Sequence, residues 1–235
     1  MTARTSLWLA TAVAGVAALI VALLILPMFP ADAAGDIAPY KAPIYAFEFA
    51  GTPADLVAIF GDVGDPQRAR RLDAMDVGNR WDFLFMAIYT AFGALFGWAA
   101  DRSGLRYGSL VLLAAIVAGL ADAVETRFLL SITESLREGQ SPGPALSWLF
   151  IPVTAKFGGI AAVLLGAWGI MRGAAPGRVW TFASYAALLA GVATLLFGFG
   201  WAPGTLDVGT AIGAGWLVMI AFAVRQLIPP RRPRL

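Results

Sequence analysis

Four ionisable residues fall within, or at the edge of, stretches apolar enough to cross a bilayer: Asp82, Asp122, Glu125 and Lys156. Asp122 and Glu125 are three positions apart, so on a helix they share a face. Two carboxyls beside an ammonium can clamp helices as an ion pair, hold a polar ligand, or take up and release protons. One lysine cannot neutralise both acids. Either Arg127 joins them, water enters, or one carboxyl keeps its proton and the acids titrate as a coupled unit. The choice of lysine is informative: of the 17 basic residues only Lys41 and Lys156 are not arginine, and a buried ammonium can lose a proton where a guanidinium cannot.

Other chemistry is largely excluded. The chain has no cysteine and no histidine, which removes thiolate chemistry, disulfides, the commonest metal ligand and the usual general base near neutral pH. Neither a GxSxG elbow, nor an HExxH zinc site, nor a P-loop occurs. The aspartate run of a CDP-alcohol phosphotransferase fails as well, since Asp101 is followed by Arg102-Ser103-Gly104 and the spacing of Gly119, Asp122 and Glu125 differs. A carboxylate-only Mg²⁺ or Ca²⁺ site would draw on Asp82, Asp122 and Glu125, but Lys156 already supplies positive charge at that depth. We therefore expect no metal and no cofactor.

The elements that must position these groups are membrane spans. With 59% hydrophobic and 14% charged residues and a mean hydropathy of +0.75, the chain is far more apolar than a soluble domain, which is about 45–50% apolar and about 25% charged. Six apolar runs approach the ~20 residues a ~30 Å core requires: 7–29, 83–100, 108–128, 148–171, 179–201 and 206–224. The fold class is thus an all-α membrane protein, a six-transmembrane-helix bundle forming one integral membrane domain over 1–235, with a small extracytoplasmic cap, 30–81, between the first two spans.

Orientation follows from the arginines. Arg4, Arg102, Arg106, Arg172, Arg178, Arg225, Arg231, Arg232 and Arg234 fall on one side with Asp101 as the accompanying acid, so the positive-inside rule places both termini in the cytoplasm. Tryptophans fit an aromatic belt: Trp8, Trp98, Trp168 and Trp180 near the inner boundary, Trp81, Trp148 and Trp201 near the outer one, and Trp216 in mid-span. The arginine bias, with abundant Ala and Gly, reads as a GC-rich bacterial genome, which makes the membrane a bacterial inner membrane. A competing reading of the first span is a signal peptide cleaved near Ala31-Asp32-Ala33.

At ~1.5 Å per helical residue, Asp122 and Glu125 lie about 21 and 26 Å from the inner edge, Lys156 about 24 Å and Asp82 about 29 Å. All four share one outer-leaflet layer, with Arg80 and Arg127 just above. The preferred reading is an ion-pair clamp between the third and fourth spans. Alternatives are a polar pocket lined by Tyr89 and Phe157 that takes a lipid headgroup or small molecule, a proton- or ion-handling site, and a third helix that ends before Asp122 and leaves the charges in water.

In the cap, Tyr45-Ala46-Phe47-Glu48-Phe49 leans toward a short extended stretch. Thr52-Pro53-Ala54-Asp55 reads as a helix start, and Asp65-Pro66 as the start of a second helix carrying Arg68, Arg70 and Arg71. The third helix should run on through Phe128 to Glu138 and stop at the Gly139–Pro144 breaker run. Small residues at four-residue spacing (Ala10, Ala14, Ala18, Ala22; Gly93, Gly97; Gly209, Gly213) predict close helix packing within the chain. The tail Pro229–Leu235 reads as an anionic-lipid anchor.

These features point to a non-enzymatic accessory or ligand-binding membrane component. Its partners would be the bilayer, a lipid or small-molecule ligand and a membrane-complex partner, with no nucleic acid. The alternatives are an enzyme acting on a lipid or isoprenoid with Glu125 or Asp122 as general acid/base, and a small transporter or proton pathway.

Overall fold

The computed structural model describes residues 3–174, 177–201 and 207–228. The arginine-rich tail from Pro229 onward, and Leu206 at the expected start of the sixth span, lie outside the described residues. The elements in chain order are α1 (Ala3–Ile25), α2 (Pro43–Glu48), α3 (Pro53–Phe60), α4 (Arg68–Asp101), α5 (Gly108–Arg137), α6 (Gly143–Trp148), α7 (Phe150–Ala174), α8 (Arg178–Gly198) and α9 (Val208–Leu227), with a 3₁₀ turn, Leu26–Met28, extending α1. The described residues contain no strand. Six of these elements are long and apolar enough to cross a membrane: α1, α4, α5, α7 with α6, α8 and α9. Their outward faces carry Leu9, Val13, Ile20, Leu113, Leu120, Leu189 and Leu217 exposed, as a hydrocarbon solvent requires. The protein is a polytopic, all-α membrane bundle.

The spans close into a ring in chain order: α1 packs on α4, α4 on α5, α5 on α7, α7 on α8, α8 on α9, and α9 back on α1. Glycines permit the tightest of these approaches. A Cβ on Gly97 would meet the Leu112 backbone nitrogen at 2.4 Å, and one on Gly15 would meet Ile220 and Phe92 at 2.5 and 2.7 Å. On α1 the buried stripe is Trp8, Thr11, Ala12, Gly15 and Ala18. This corrects the expected alanine stripe, of which Ala10 is exposed and Ala14 and Ala22 are half-buried. Trp8 also departs from the expected belt: it is fully buried, stands edge-on to Phe96 and Phe222, and donates to Ser103 Oγ at 3.2 Å. Trp81, Trp98, Trp148 and Trp201 are the exposed tryptophans.

Helices α4 and α5 outrun a bilayer. At 34 and 30 residues they are about 51 and 45 Å long, against a ~30 Å core. The excess extends the open end of the antiparallel α4–α5 hairpin, opposite its loop at 102–107, beyond the spans. It is held by Thr133 Oγ1 donating to Asp76 at 2.6 Å, by Arg137 bonding Asp73 at 2.8 Å and pairing with Asp76, and by Arg68 donating to the Leu136 carbonyl at 3.3 Å. The expected separate helix after Asp65-Pro66 is therefore the first part of α4, which continues into the membrane unbroken. At its far end α5 stops at Gly139 (φ 69°), and Gln140 N–H closes on the Ser135 carbonyl at 2.8 Å, a Schellman-type ending. Pro152 has no N–H for the Trp148 carbonyl, which accounts for the break between α6 and α7.

The cap, residues 30–67, sits on this hairpin. Phe47, Leu56, Ile59 and Phe60 pack with Leu72, Met75, Leu129 and Ile132 into a second apolar core, separate from the one inside the spans. The Thr52/Asp55 capping box starts α3. The stretch around Phe47 is the helix α2, which corrects the expected extended segment: Pro43 at its first position supplies a helical φ, and tertiary packing of Phe47 overrides β propensity. Arg71 bolts the cap edge down. It is buried, and it bonds Asp32 at 3.1 Å, Asp65 at 2.8 Å and the Phe60 carbonyl at 3.3 Å.

Candidate functional site

Between the two apolar cores lies a layer of buried charge. Lys156, in the second turn of α7, sends its ammonium to three carboxyls: Glu125 Oε1 at 2.6 Å, Glu48 Oε1 at 3.0 Å and Asp122 Oδ1 at 3.6 Å. Asp122 and Glu125 project together from one face of α5, and α4 supplies Tyr89, whose hydroxyl donates to Asp122 Oδ2 at 2.8 Å. Relative exposure is 6% for Lys156, 1% for Glu125, 4% for Asp122 and 7% for Glu48. These groups are out of reach of bulk solvent.

Glu48 is the member that sequence reasoning missed. It comes from the cap, 108 positions from Lys156. One signal could have found it: it is the lone acid inside an otherwise apolar and aromatic run, Tyr45–Phe49, where a buried charge demands a partner. Asp82 lies two turns before Tyr89 on α4 and is half-buried. It feels the charges of Asp122, Lys156 and Glu48 and faces the Thr126 hydroxyl, though that hydroxyl makes no hydrogen bond of good geometry. Arg127 does not join. It is exposed, while its neighbours Glu125 and Thr126 are buried, because a one-residue step rotates a side chain about 100° around the helix. No ion pair reaches it among the described residues.

The aromatic surroundings divide by core. Phe157 lies under the ammonium, 4.7 Å from Nζ to ring centroid, stacked on Phe49 and edge-on to Phe197. Tyr89 stacks on Trp216 on the opposite side. Phe157 thus packs with the cap aromatics and Tyr89 with those of the spans. Beneath the charged layer Tyr89, Phe92, Ile160, Val163 and Trp216 surround a void of about 10 Å³. Its apolar walls offer few hydrogen-bond partners to a water.

Charge in this layer does not balance. Three carboxyls face one ammonium, so up to two negative charges are uncompensated before Asp82 is counted. Glu48 Oε2, Glu125 Oε2 and Asp122 Oδ1 are buried with no hydrogen-bond donor. Burial pushes the Glu48 carboxyl above the usual carboxylate range, against the pull of Lys156. Among the described residues no three acidic or other ligating side chains are placed to hold a metal ion. Chemically, the arrangement can join α5, α7 and the cap through charge and α4 through the Tyr89 hydrogen bond, and it can exchange protons. Comparison with protein-family models, curated proteins and solved structures finds no match to this chain.

Proposed function

We propose that this chain is a non-enzymatic accessory component of a bacterial cytoplasmic membrane, with both termini inside. In this reading the cap meets a ligand or protein partner outside, and the buried ionic layer is the joint that seats the cap on the bundle. One observation carries it: the Lys156 ammonium bonds a cap acid and two span acids in a site that is almost fully covered. A lipid-modifying enzyme needs its general acid open to substrate, and Glu125 at 1% exposure is not. A transport path needs polar groups on both sides of the layer, and the side beneath it is lined by Phe92, Ile160 and Val163.

The test is purification of the full chain in native-lipid nanodiscs, followed by cross-linking and mass spectrometry. A reproducible ligand or protein cross-linked to residues 30–67 supports the reading. A lipid or isoprenoid that is chemically altered in the protein's presence overturns it. Topology is checked separately, since the chain lacks cysteine: Val63→Cys, at a position 88% exposed in the cap, should react with an impermeant maleimide in intact cells, and Ile228→Cys only after permeabilisation.

A further inference from the structure

Glu48 and Glu125 come from different elements and bond the same nitrogen through their Oε1 atoms. Their other oxygens, each on a residue more than nine-tenths buried, have no donor. The two carboxyls therefore converge on one point, with Oε1 atoms 3.0 and 2.6 Å from the Lys156 nitrogen. Two carboxylates gathered on one ammonium repel each other, whereas a proton shared between them makes a short, charge-assisted hydrogen bond and removes one uncompensated charge. Asp122 has no such need, because Tyr89 donates to it.

We propose that Glu48 and Glu125 bind one proton between them, and that this proton is a condition for seating the cap on the bundle.

The groups facing the pair favour a bound proton. From α4 come Asp82 and Tyr89, from α5 Asp122, and from α7 Lys156, the one cation among them. Tyr45 of α2 and Tyr40 ahead of it face Glu48 from the cap, with Asp207 at the start of α9 acting on Tyr45 and Asp55 of α3 acting on Tyr40. From α8 Phe197, which carries no charge, packs on Phe49 and Phe157 beside the layer. Burial holds the Glu48 carboxyl above its ordinary range, so a seated Glu48 retains a proton that an undocked one surrenders to water. Seating then takes up a proton. It is favoured at low pH and weakens as pH rises through the titration of the pair. A proton is a ligand of this joint whatever partner the cap meets.

Hydrogen exchange on the full chain in nanodiscs reads this directly. Amide protection over residues 44–48, corrected for intrinsic exchange, should fall with rising pH, approaching about tenfold per unit for one proton, while amides of α8 stay level. Glu48→Gln keeps the hydrogen bond without titrating, so its protection should persist at alkaline pH with no slope. A flat wild-type profile, an unchanged slope in Glu48→Gln, or a dependence on Na⁺ or K⁺ in place of pH overturns the proposal. Infrared spectroscopy of the wild type needs no variant. A protonated-carboxyl C=O stretch that shifts in D₂O must be present at neutral pH, and its absence overturns the proposal equally.

Discussion

Lys156 Nζ stands 3.0 Å from Glu48 Oε1 and 2.6 Å from Glu125 Oε1, so one ammonium joins the cap to the membrane-spanning α5. Removing one partner of a buried ion pair leaves an uncompensated charge, which costs roughly 3–5 kcal/mol. Lys156→Met should therefore lower the thermal midpoint in detergent or nanodiscs sharply. Lys156→Met combined with Glu125→Gln deletes the charge that the single variant strands, and should lie closer to wild type. A double variant less stable than the single would show that the two side chains are not partners.

Tyr89 gives Asp122 its single good hydrogen bond, at 2.8 Å, while Asp122 Oδ1 has no donor. Tyr89→Phe keeps the stacking on Trp216 and deletes this bond, with an expected loss of about 1.5–3 kcal/mol for a hydrogen bond to a charged group. A double-mutant cycle with Asp122→Asn isolates the pairwise part. Additive effects in that cycle would remove Tyr89 from the site.

Glycine pairs in the spans are not equivalent. Gly97 faces backbone atoms of α5, with a would-be Cβ 2.4 Å from the Leu112 nitrogen and 2.6 Å from the Gly108 carbonyl oxygen, whereas Gly213 has nothing within 4 Å. Gly97→Ala must push α4 and α5 apart and should cost about 1–3 kcal/mol, as overpacking does. Gly213→Ala meets open space and should be neutral or slightly stabilising, because alanine is the better helix former. Unfolding of both variants under identical conditions checks the contrast.

The six apolar helices were legible because a span must satisfy its own backbone and keep an apolar face to lipid, which leaves a long hydrophobic run in the sequence. Asp122, Glu125 and Lys156 stood out because charge inside such a run is costly and rare. The continuity of the Arg68 helix with the second span was hidden by composition. Arg68, Arg70, Arg71, Asp73 and Asp76 break the apolar signal, although Arg71, Leu72, Met75, Asp76 and Asn79 are all buried along it at helical spacing. Glu48 was hidden by distance: nothing local to Tyr45–Phe49 specifies a partner 108 positions away, and the aromatic content of the stretch favours strand over the short helix that forms.

The edge of the cap should fail under acid, independently of its buried joint. Arg70 donates to Asp32 at 2.6 Å and Arg71 to Asp65 at 2.8 Å. The Arg70 hydrogen bond holds the Asp32 carboxyl below its ordinary range. The Gln67 amide, then Arg71, do the same for Asp65. A carboxyl with a depressed folded-state pKa contributes stability that is complete above its unfolded value, about 3.9, and is lost as pH falls through the folded one. Amide protection over residues 53–62 should thus decline below about pH 4, the same unfolded value, while the spans remain protected. In an Asp32→Asn/Asp65→Asn variant the region should be looser at neutral pH and insensitive to acid. Protonation seats Glu48 and unseats Asp32, so the two ends of the cap respond to pH with opposite sign. Protection of α3 lost on the acid side and of α2 on the alkaline side would separate the two contacts, whereas a single transition of both helices at one pH would mean that the cap docks as one rigid piece governed by one group.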